Sequence, residues 1–307
     1  MNSLVRGLIK TWYRLILKVE TLFDIVHKIL IYIRSGFSRE KAWKEYGLYQ
    51  ERMLIERHIC NEPLKHLDFR GVKLPIVAAG SPYSSALLWA YYDSILFYEH
   101  HNDNFEARAV DTFEKYFESE GLYCYSDSAN KIDMTVKAGD VVVDAGAWIG
   151  PFSAYAAHKG AQVYAFEPSP ENQQLLKVTA ELNGSIEIVP YALYDKVTEL
   201  TFTENNVGSK VVQEGAGIKV TTTTLDDFAR SHSLKRIDFI KSDIEGAERN
   251  MLKGATWVLQ NFAPKLSLCT YHYKEDPELL ASIILAANPR YKIMQRKMKL
   301  FAWVPHE

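Results

Sequence analysis

Apolar and polar positions follow two different rhythms along this chain, and the change of rhythm falls near Asp140. Over residues 1–33, Leu4, Leu8, Trp12, Leu15, Val19, Leu22, Val26 and Leu30 recur at helical spacing, while Arg6, Lys10, Arg14 and Lys18 return every four residues opposite them. That pattern predicts an amphipathic helix over 1–34 with a basic polar face. Such a helix either lies in a membrane interface, with Trp12 and Tyr13 near the headgroups, or packs on its own domain or a second subunit with its charges solvated. Residues 35–135 read as a helical N-terminal region and a candidate substrate cap. Arg39–Cys60 and Ser84–His100 keep helical spacing, broken by Pro63, Pro75 and the Gly80-Ser81-Pro82 turn. The aromatic residues of the second stretch read as core packing, and His100, His101 and Asp103 as a polar helix end.

From Asp140 onward short apolar runs alternate with helical stretches. Strands are predicted at 141–144, 162–166, 186–189, 237–241 and 265–271, and helices at 151–159, 170–182, 225–233 and 247–261. Alternation of this kind builds a mainly parallel sheet with helices on both faces, so 136–307 reads as one α/β domain. Residues 198–203 and 219–223 read as an extra hairpin inserted before the fourth sheet strand.

Composition narrows the partners more than the fold. A formal net charge of -2 over 307 residues argues against a polyanion-binding surface, and no nucleic-acid partner is expected. Cys60, Cys124 and Cys269 lie far apart without a C-x-x-C pair, which disfavours a disulfide framework or a zinc ribbon. Reduced thiols in the cytoplasm are the expectation, with contact through residues 1–33 at the inner face of a membrane as the alternative. No signal-peptide pattern and no apolar run of about 18 residues is present, which disfavours a conventional transmembrane span.

The chemistry concentrates where the first strand of the alternating region ends. Val141 to Val143 form a β-branched run suited to a strand buried on both faces, and the run breaks at Asp144 into a turn carrying Gly146 and Gly150. Those glycines permit a sharp turn and a close approach to a ligand at the N-terminus of the following helix. Glu167, at the end of the second strand, is placed to accept hydrogen bonds from both hydroxyls of a ribose. The spacing Asp144-x-Gly146-x-x-x-Gly150 lacks the central glycine of the dinucleotide fingerprint G-x-G-x-x-G. An acid beside the turn repels a pyrophosphate and suits a cofactor bearing an ammonium and a sulfonium, so S-adenosylmethionine (SAM) is favoured over NAD.

Four motifs in order then carry a resemblance: GDVVVDAGAWIG at 139–150, FEPSPEN at 166–172, TTTLDDF at 222–228 and IDFIKSDIEGAE at 237–248. Through them the stretch from about Asp140 to Lys299 resembles the FkbM family of SAM-dependent methyltransferases, and CTYHYKEDPELLASII at 269–284 is similar to the C-terminal part of one branch of it. Family members usually carry Asn where this chain has Trp148. The resemblance implies a Rossmann-like, doubly wound seven-stranded sheet. It also implies O-methylation of a hydroxyl on a small molecule, sugar, glycan or glycolipid. Carried over by motif, Asp144, Gly146, Ala147 and Gly150 would hold the methionine part of SAM, Glu167 and Pro168 would lie at its ribose, and Tyr191 and Ala192 would flank the adenine. Asp243 would sit nearest the transferred methyl.

An alcohol is a poor nucleophile, so a base within hydrogen-bond reach is expected. By position the candidates are Asp243, Glu245 and His272, with Asp243 placing the hydroxyl and His272 taking its proton. Glu248 reads as favourable charge at the start of a helix. The same Asp243, Glu245 and His272 offer ligands for a divalent ion, although a metal-free site is the expectation. A catalytically inactive SAM-fold binding or scaffold protein is the competing reading, motivated by Trp148.

Overall fold

The computed structural model describes residues 66–69, 72–75, 123–203, 210–212, 217–296 and 298–305. The predicted helix 1–34, the helical stretches 39–60 and 84–100, and His100, His101 and Asp103 lie outside the described residues. Those described belong to the compact unit Leu64–Glu307.

Two short antiparallel hairpins come first, β1 (His66–Phe69) with β2 (Val72–Pro75), and β3 (Tyr125–Asp127) with β4 (Ile132–Met134). Neither is visible as a strand pattern in a region read as helical, because each is too short to show a period and is fixed by tertiary partners. The backbone N–H and C=O of Lys73 both pair with the Asn183 side-chain amide, at 2.8 and 2.6 Å. Tyr125 packs on Phe301 and lies under the Arg296 guanidinium. The compact unit therefore begins well before residue 136.

The main sheet contains β5 (Val141–Ala145), β6 (Gln162–Phe166), β7 (Ile186–Val189), β12 (Phe239–Ser242), β13 (Lys265–Cys269), β14 (Lys292–Arg296) and β15 (Lys299–Trp303). Its order is β14-β15-β13-β12-β5-β6-β7, with β15 antiparallel to both neighbours and the rest of the ladder from β13 to β7 parallel. This is the mainly parallel seven-stranded sheet expected. Helices cover both faces, as the alternation along β12 records. Phe239 stacks on Phe152 of the helix Pro151–His158. Ile240, one residue on, joins the core with Phe228, Leu252 and Val258 from the other helical layer.

Between β7 and β12 a smaller sheet of β8 (Ala192–Leu193), β9 (Glu199–Thr203), β10 (Lys210–Val212) and β11 (Ile218–Thr223) occupies the place of the predicted hairpin. β9 and β11 pair antiparallel, as that reading requires.

Local sequence rules account for the helix starts. Ser169 and Thr224 cap the helices Pro170–Asn183 and Leu225–Ser231 by accepting the N–H of Asn172 and Asp227. The predicted single helix 247–261 is instead two, Glu248–Lys253 and Thr256–Asn261. The Tyr194 carbonyl lies so close to Gly254 that a Cβ there would sit 2.1 Å from it. The second helix gains a remote cap, because the Asp226 carboxylate accepts the N–H groups of Trp257 and Val258 at 2.9 and 3.0 Å. No strand is predicted beyond residue 271, yet β15 inserts between β13 and β14.

The strand order reverses where β5 meets β12, and open α/β sheets bind ligands in the crevice beyond the carboxyl ends of such strands. Among the described residues no helix is long and apolar enough to cross a membrane.

Candidate active site at the carboxyl edge of the sheet

The turn after β5 runs through three left-handed residues, Gly146 (φ 74), Trp148 (φ 54) and Gly150 (φ 89). Its first amides are taken by protein: Gly146 and Ala147 both donate to the Phe166 carbonyl at 3.0 Å. A Cβ on Gly146 would lie 2.0 Å from the Asp243 carbonyl, and one on Gly150 would meet Leu176 at 2.7 Å. Gly146 is thus required where the β5 turn presses against the backbone that carries Asp243, and Gly150 where the turn packs on the Leu176 and Thr179 side chains. Trp148 occupies a backbone position that suits Asn better than any other side chain except glycine. The turn keeps its shape with Trp148 there, and the Trp148 N–H donates to Glu167 at 2.8 Å.

The Asp144 side chain is turned into the protein. Register pairs it with Lys241 across β5 and β12, and both side chains point into the layer of the helix Pro151–His158. Its carboxylate lies 2.9 Å from the Lys241 Nζ and accepts the Ser153 hydroxyl at 2.6 Å, fully buried. The resemblance placed this acid at the methionine part of SAM; in the structure its charge faces a buried lysine. Burial acts to lower the Lys241 pKa, but Asp144 and Asp243 outweigh it and hold the ammonium above its ordinary value. That ammonium also donates to the Gly146 carbonyl at 2.7 Å, so the pair braces the turn from beneath.

Glu167 meets its expectation of place. It follows β6, and its carboxylate gathers the N–H groups of Trp148 and Ser169 and the Asn172 amide at 2.8, 2.9 and 3.2 Å. Even so, burial pushes its pKa up to about 7 against those donors. A carboxylate offers about four acceptor sites, and three are occupied here. Further hydroxyl donors would stabilise the charged form, which is what a ribose brings, so the group fits the ribose of SAM. Pro168 beside it is half-buried. Tyr191 emerges after β7 with 41% of its surface exposed, whereas Ala192 packs inward on Phe202 and Val220. Of the two residues expected at the adenine, only Tyr191 presents a side chain outward.

The densest chemistry surrounds Asp243, just past β12. Its two oxygens accept the hydroxyls of Tyr123 and Tyr271, at 3.0 and 2.7 Å. Lys299 approaches Oδ2 at 4.0 Å, and the His272 Nε2 stands 3.5 Å from Oδ1. Burial would raise the Asp243 pKa, but His272, the two lysines and Tyr271 hold it far below the ordinary carboxylate range. His272 Nδ1 lies 3.4 Å from Glu245 Oε2, and Nε2 lies 3.8 Å from Glu248 Oε1. Burial acts to lower the imidazole pKa, and the carboxylates of Asp243, Glu248 and Glu245 reverse that and raise it.

Glu248 is a cap with a second face. It is fully buried and accepts the N–H groups of Ile244 and Gly246 at 2.9 and 3.0 Å, closing the turn in which Glu245 is left-handed (φ 55). The acidic residue expected at the helix start is there, although burial pushes its pKa up to about 7, and it has a line of approach to His272.

Sequence reasoning missed Tyr123, Lys241, Tyr271 and Lys299. Tyr123 precedes β3 and reaches the site from outside the predicted domain. Lys299 arrives because β15 runs antiparallel and starts opposite Cys269 at the carboxyl edge. There its ammonium contacts the Cys269 sulfur and lies over the Tyr123 ring. Lys241 and Tyr271 lie within the motifs at 237–248 and 269–284, and a lysine in a buried strand was the available signal.

Residues 144–291 match the family model of the methyltransferase FkbM domain. The hexuronic acid methyltransferase AglP of Haloferax volcanii is 27% identical over 48% of this chain and 63% of its own length. Methyltransferase 1 of Beauveria bassiana is 30% identical over 37% of this chain and 57% of its own. The chain thus spans less than two thirds of either relative. The crystal structure of the methyltransferase FkbM from Methylobacillus flagellatus KT superposes with a TM-score of 0.46 at 20% identity, over 71% of this chain and 59% of that one.

Proposed function

Starting from an FkbM methyltransferase domain at residues 144–291, we propose that the chain is a SAM-dependent O-methyltransferase whose acceptor is a hydroxyl of a sugar or glycan. The observation that carries this reading is the position of Asp243. Its carbonyl lies against the Gly146 turn, while its carboxylate, held ionised, faces the rim between two tyrosine hydroxyls.

SAM bound beside Glu167 and the turn would supply a methyl group already activated on a sulfonium. Glu167 holds the ribose, and Tyr191 offers a ring to the adenine. Asp243 accepts a hydrogen bond from the acceptor hydroxyl and orients its oxygen, a task of alignment that supplies much of the rate in such a transfer. With a pKa held so low, Asp243 is an orienting acceptor and a weak base. The exposed rings of Tyr271 and Tyr273, at 47% and 49%, give the rim flat apolar faces beside polar tips, which suit the C–H face of a sugar. The hexuronic acid methyltransferase among the relatives favours a carbohydrate acceptor.

The test is incubation of the full chain with methyl-labelled SAM and a panel of sugars, nucleotide sugars and glycolipids, read by mass spectrometry. The expected product gains one methyl that survives mild alkali, as an ether does. A product demethylated by alkali is a methyl ester and would move the acceptor from hydroxyl to carboxylate. No calorimetric binding at millimolar SAM would return the chain to the scaffold reading.

A further inference from the structure

The His272 ring stands between Asp243 and Glu248 with Nε2 at 3.5 and 3.8 Å from their carboxylates, longer than a charge-assisted hydrogen bond, and Glu248 is fully buried. We propose that Asp243, Glu248 and His272 form a binding site for one divalent first-row cation, with Glu245 as the group that orients His272. The inference deepens the methyltransferase reading, since such an ion would polarise the acceptor hydroxyl and lower its pKa.

Four observations converge on it. One ligand atom each from Asp243, Glu248 and His272 can be chosen so that all lie within 4.8 Å of one another. Donors around an octahedral ion at about 2.1 Å stand about 3.0 Å apart when adjacent and about 4.2 Å when opposed. The His272 Nε2 lies 3.5 Å from Asp243 Oδ1 and 3.8 Å from Glu248 Oε1, within that interval. An imidazolium bonded to these carboxylates would instead sit at about 2.7–2.9 Å.

The second observation is that Nε2 is buried with no hydrogen-bond partner, on a side chain only 8% exposed. A buried polar atom without a partner is costly, and this one is aimed at the space between two carboxylates. Third, the opposite ring nitrogen faces Glu245 Oε2 at 3.4 Å. A carboxylate on Nδ1 fixes the tautomer that turns the Nε2 lone pair toward an ion, the usual outer arrangement of a metal-bound histidine.

The fourth is charge. Asp243, Glu245 and Glu248 bring three carboxylates, and Lys241 is committed to Asp144. Lys299 offsets one of the three, but it approaches Asp243 at Oδ2, away from the oxygen that faces His272. With the imidazole neutral and all three carboxylates ionised, the state that ligation requires, the remaining charge is two negative, which one divalent ion balances. Glu245 and Asp243 are 27% and 19% exposed, so the site opens toward the rim where an acceptor oxygen would complete the coordination. Two oxygens and one imidazole nitrogen suit an ion such as Mn²⁺ better than Ca²⁺, which takes oxygen alone.

The experiment is titration of the full chain with Mn²⁺, reading free ion by electron paramagnetic resonance, for the parent and for Asp243→Asn, His272→Gln and Glu245→Gln, each checked for folding by circular dichroism. The parent should bind one Mn²⁺ saturably below millimolar concentration. Asp243→Asn and His272→Gln should abolish saturation, and Glu245→Gln should weaken it about 10- to 100-fold. Absence of saturable Mn²⁺ binding by the parent, or undiminished binding by folded Asp243→Asn and His272→Gln, would overturn the site. Methyl transfer that persists in excess chelator, with no Mn²⁺ bound, removes the ion and leaves the methyltransferase standing. Bound Mn²⁺ without methyl transfer on any acceptor upholds the ion site while the proposed activity fails.

Discussion

Breaking the Asp144–Lys241 pair should cost far more stability than cofactor affinity, and the size of the loss can be worked from the geometry. At 2.9 Å the two charges attract by about 6 kcal/mol at an effective dielectric near 20. Removing them from water offsets much of that, so the pair as a whole is worth little against an apolar pair of similar volume. Removing one member is different, because it strands a charge in a layer where neither side chain exceeds 5% exposure. The usual cost of that is about 3–5 kcal/mol. Lys241→Met also removes the donor to the Gly146 carbonyl, which places it at the upper end. Urea unfolding of the full chain without cofactor, followed by tryptophan fluorescence and circular dichroism, should show that loss for Lys241→Met and for Asp144→Leu. The double variant Asp144→Leu/Lys241→Met should recover most of it, so the coupling energy, the sum of the two single losses less that of the double variant, should exceed either single loss. A loss below about 1 kcal/mol in both single variants, with Asp144→Leu weakening SAM binding selectively, would refute the pairing and restore Asp144 as a cofactor ligand.

Gly146→Ala should destabilise the fold by about 2–4 kcal/mol and abolish methyl transfer, since the new Cβ adds left-handed strain and displaces the Asp243 backbone; a parental Tm and rate would contradict this. Glu167 rises from 4.5 to about 7 on folding, so the folded state holds the proton longer and stability falls as pH climbs between those values, by about 3 kcal/mol. Glu248 shifts in the same direction, so Glu167→Gln should reduce that slope without erasing it, and Glu167→Ala should weaken SAM binding by about 1.5–3 kcal/mol. Urea titrations at several pH values and calorimetry check the two halves of that statement. Tyr271→Phe removes a 2.7 Å donor from Asp243 and should lower kcat about 10-fold or more at unchanged SAM affinity; equal kcat in both proteins would exclude Tyr271 from the site.

What the sequence determined by itself is whatever depends on a short stretch of chain. The β-branched run before Asp144, the glycines after it and Glu167 at the end of a second strand were legible because strand burial, turn conformation and strand-end position are set by residues within a few places of one another. The parallel sheet followed from the alternation of strands and helices, and the seven-stranded order was implied only by the resemblance of four motifs. Tertiary structure decided the rest, because it depends on which strand lies beside which. Register across β5 and β12 made Asp144 the partner of Lys241. An antiparallel β15 delivered Lys299, and a hairpin ahead of the predicted domain delivered Tyr123. Three carboxylates, Asp243, Glu245 and Glu248, converge on His272 from turns and a helix start that only the fold brings together. None of these distances is encoded in neighbouring residues, since charge and coordination act through space and the chain supplies that space only once it has folded.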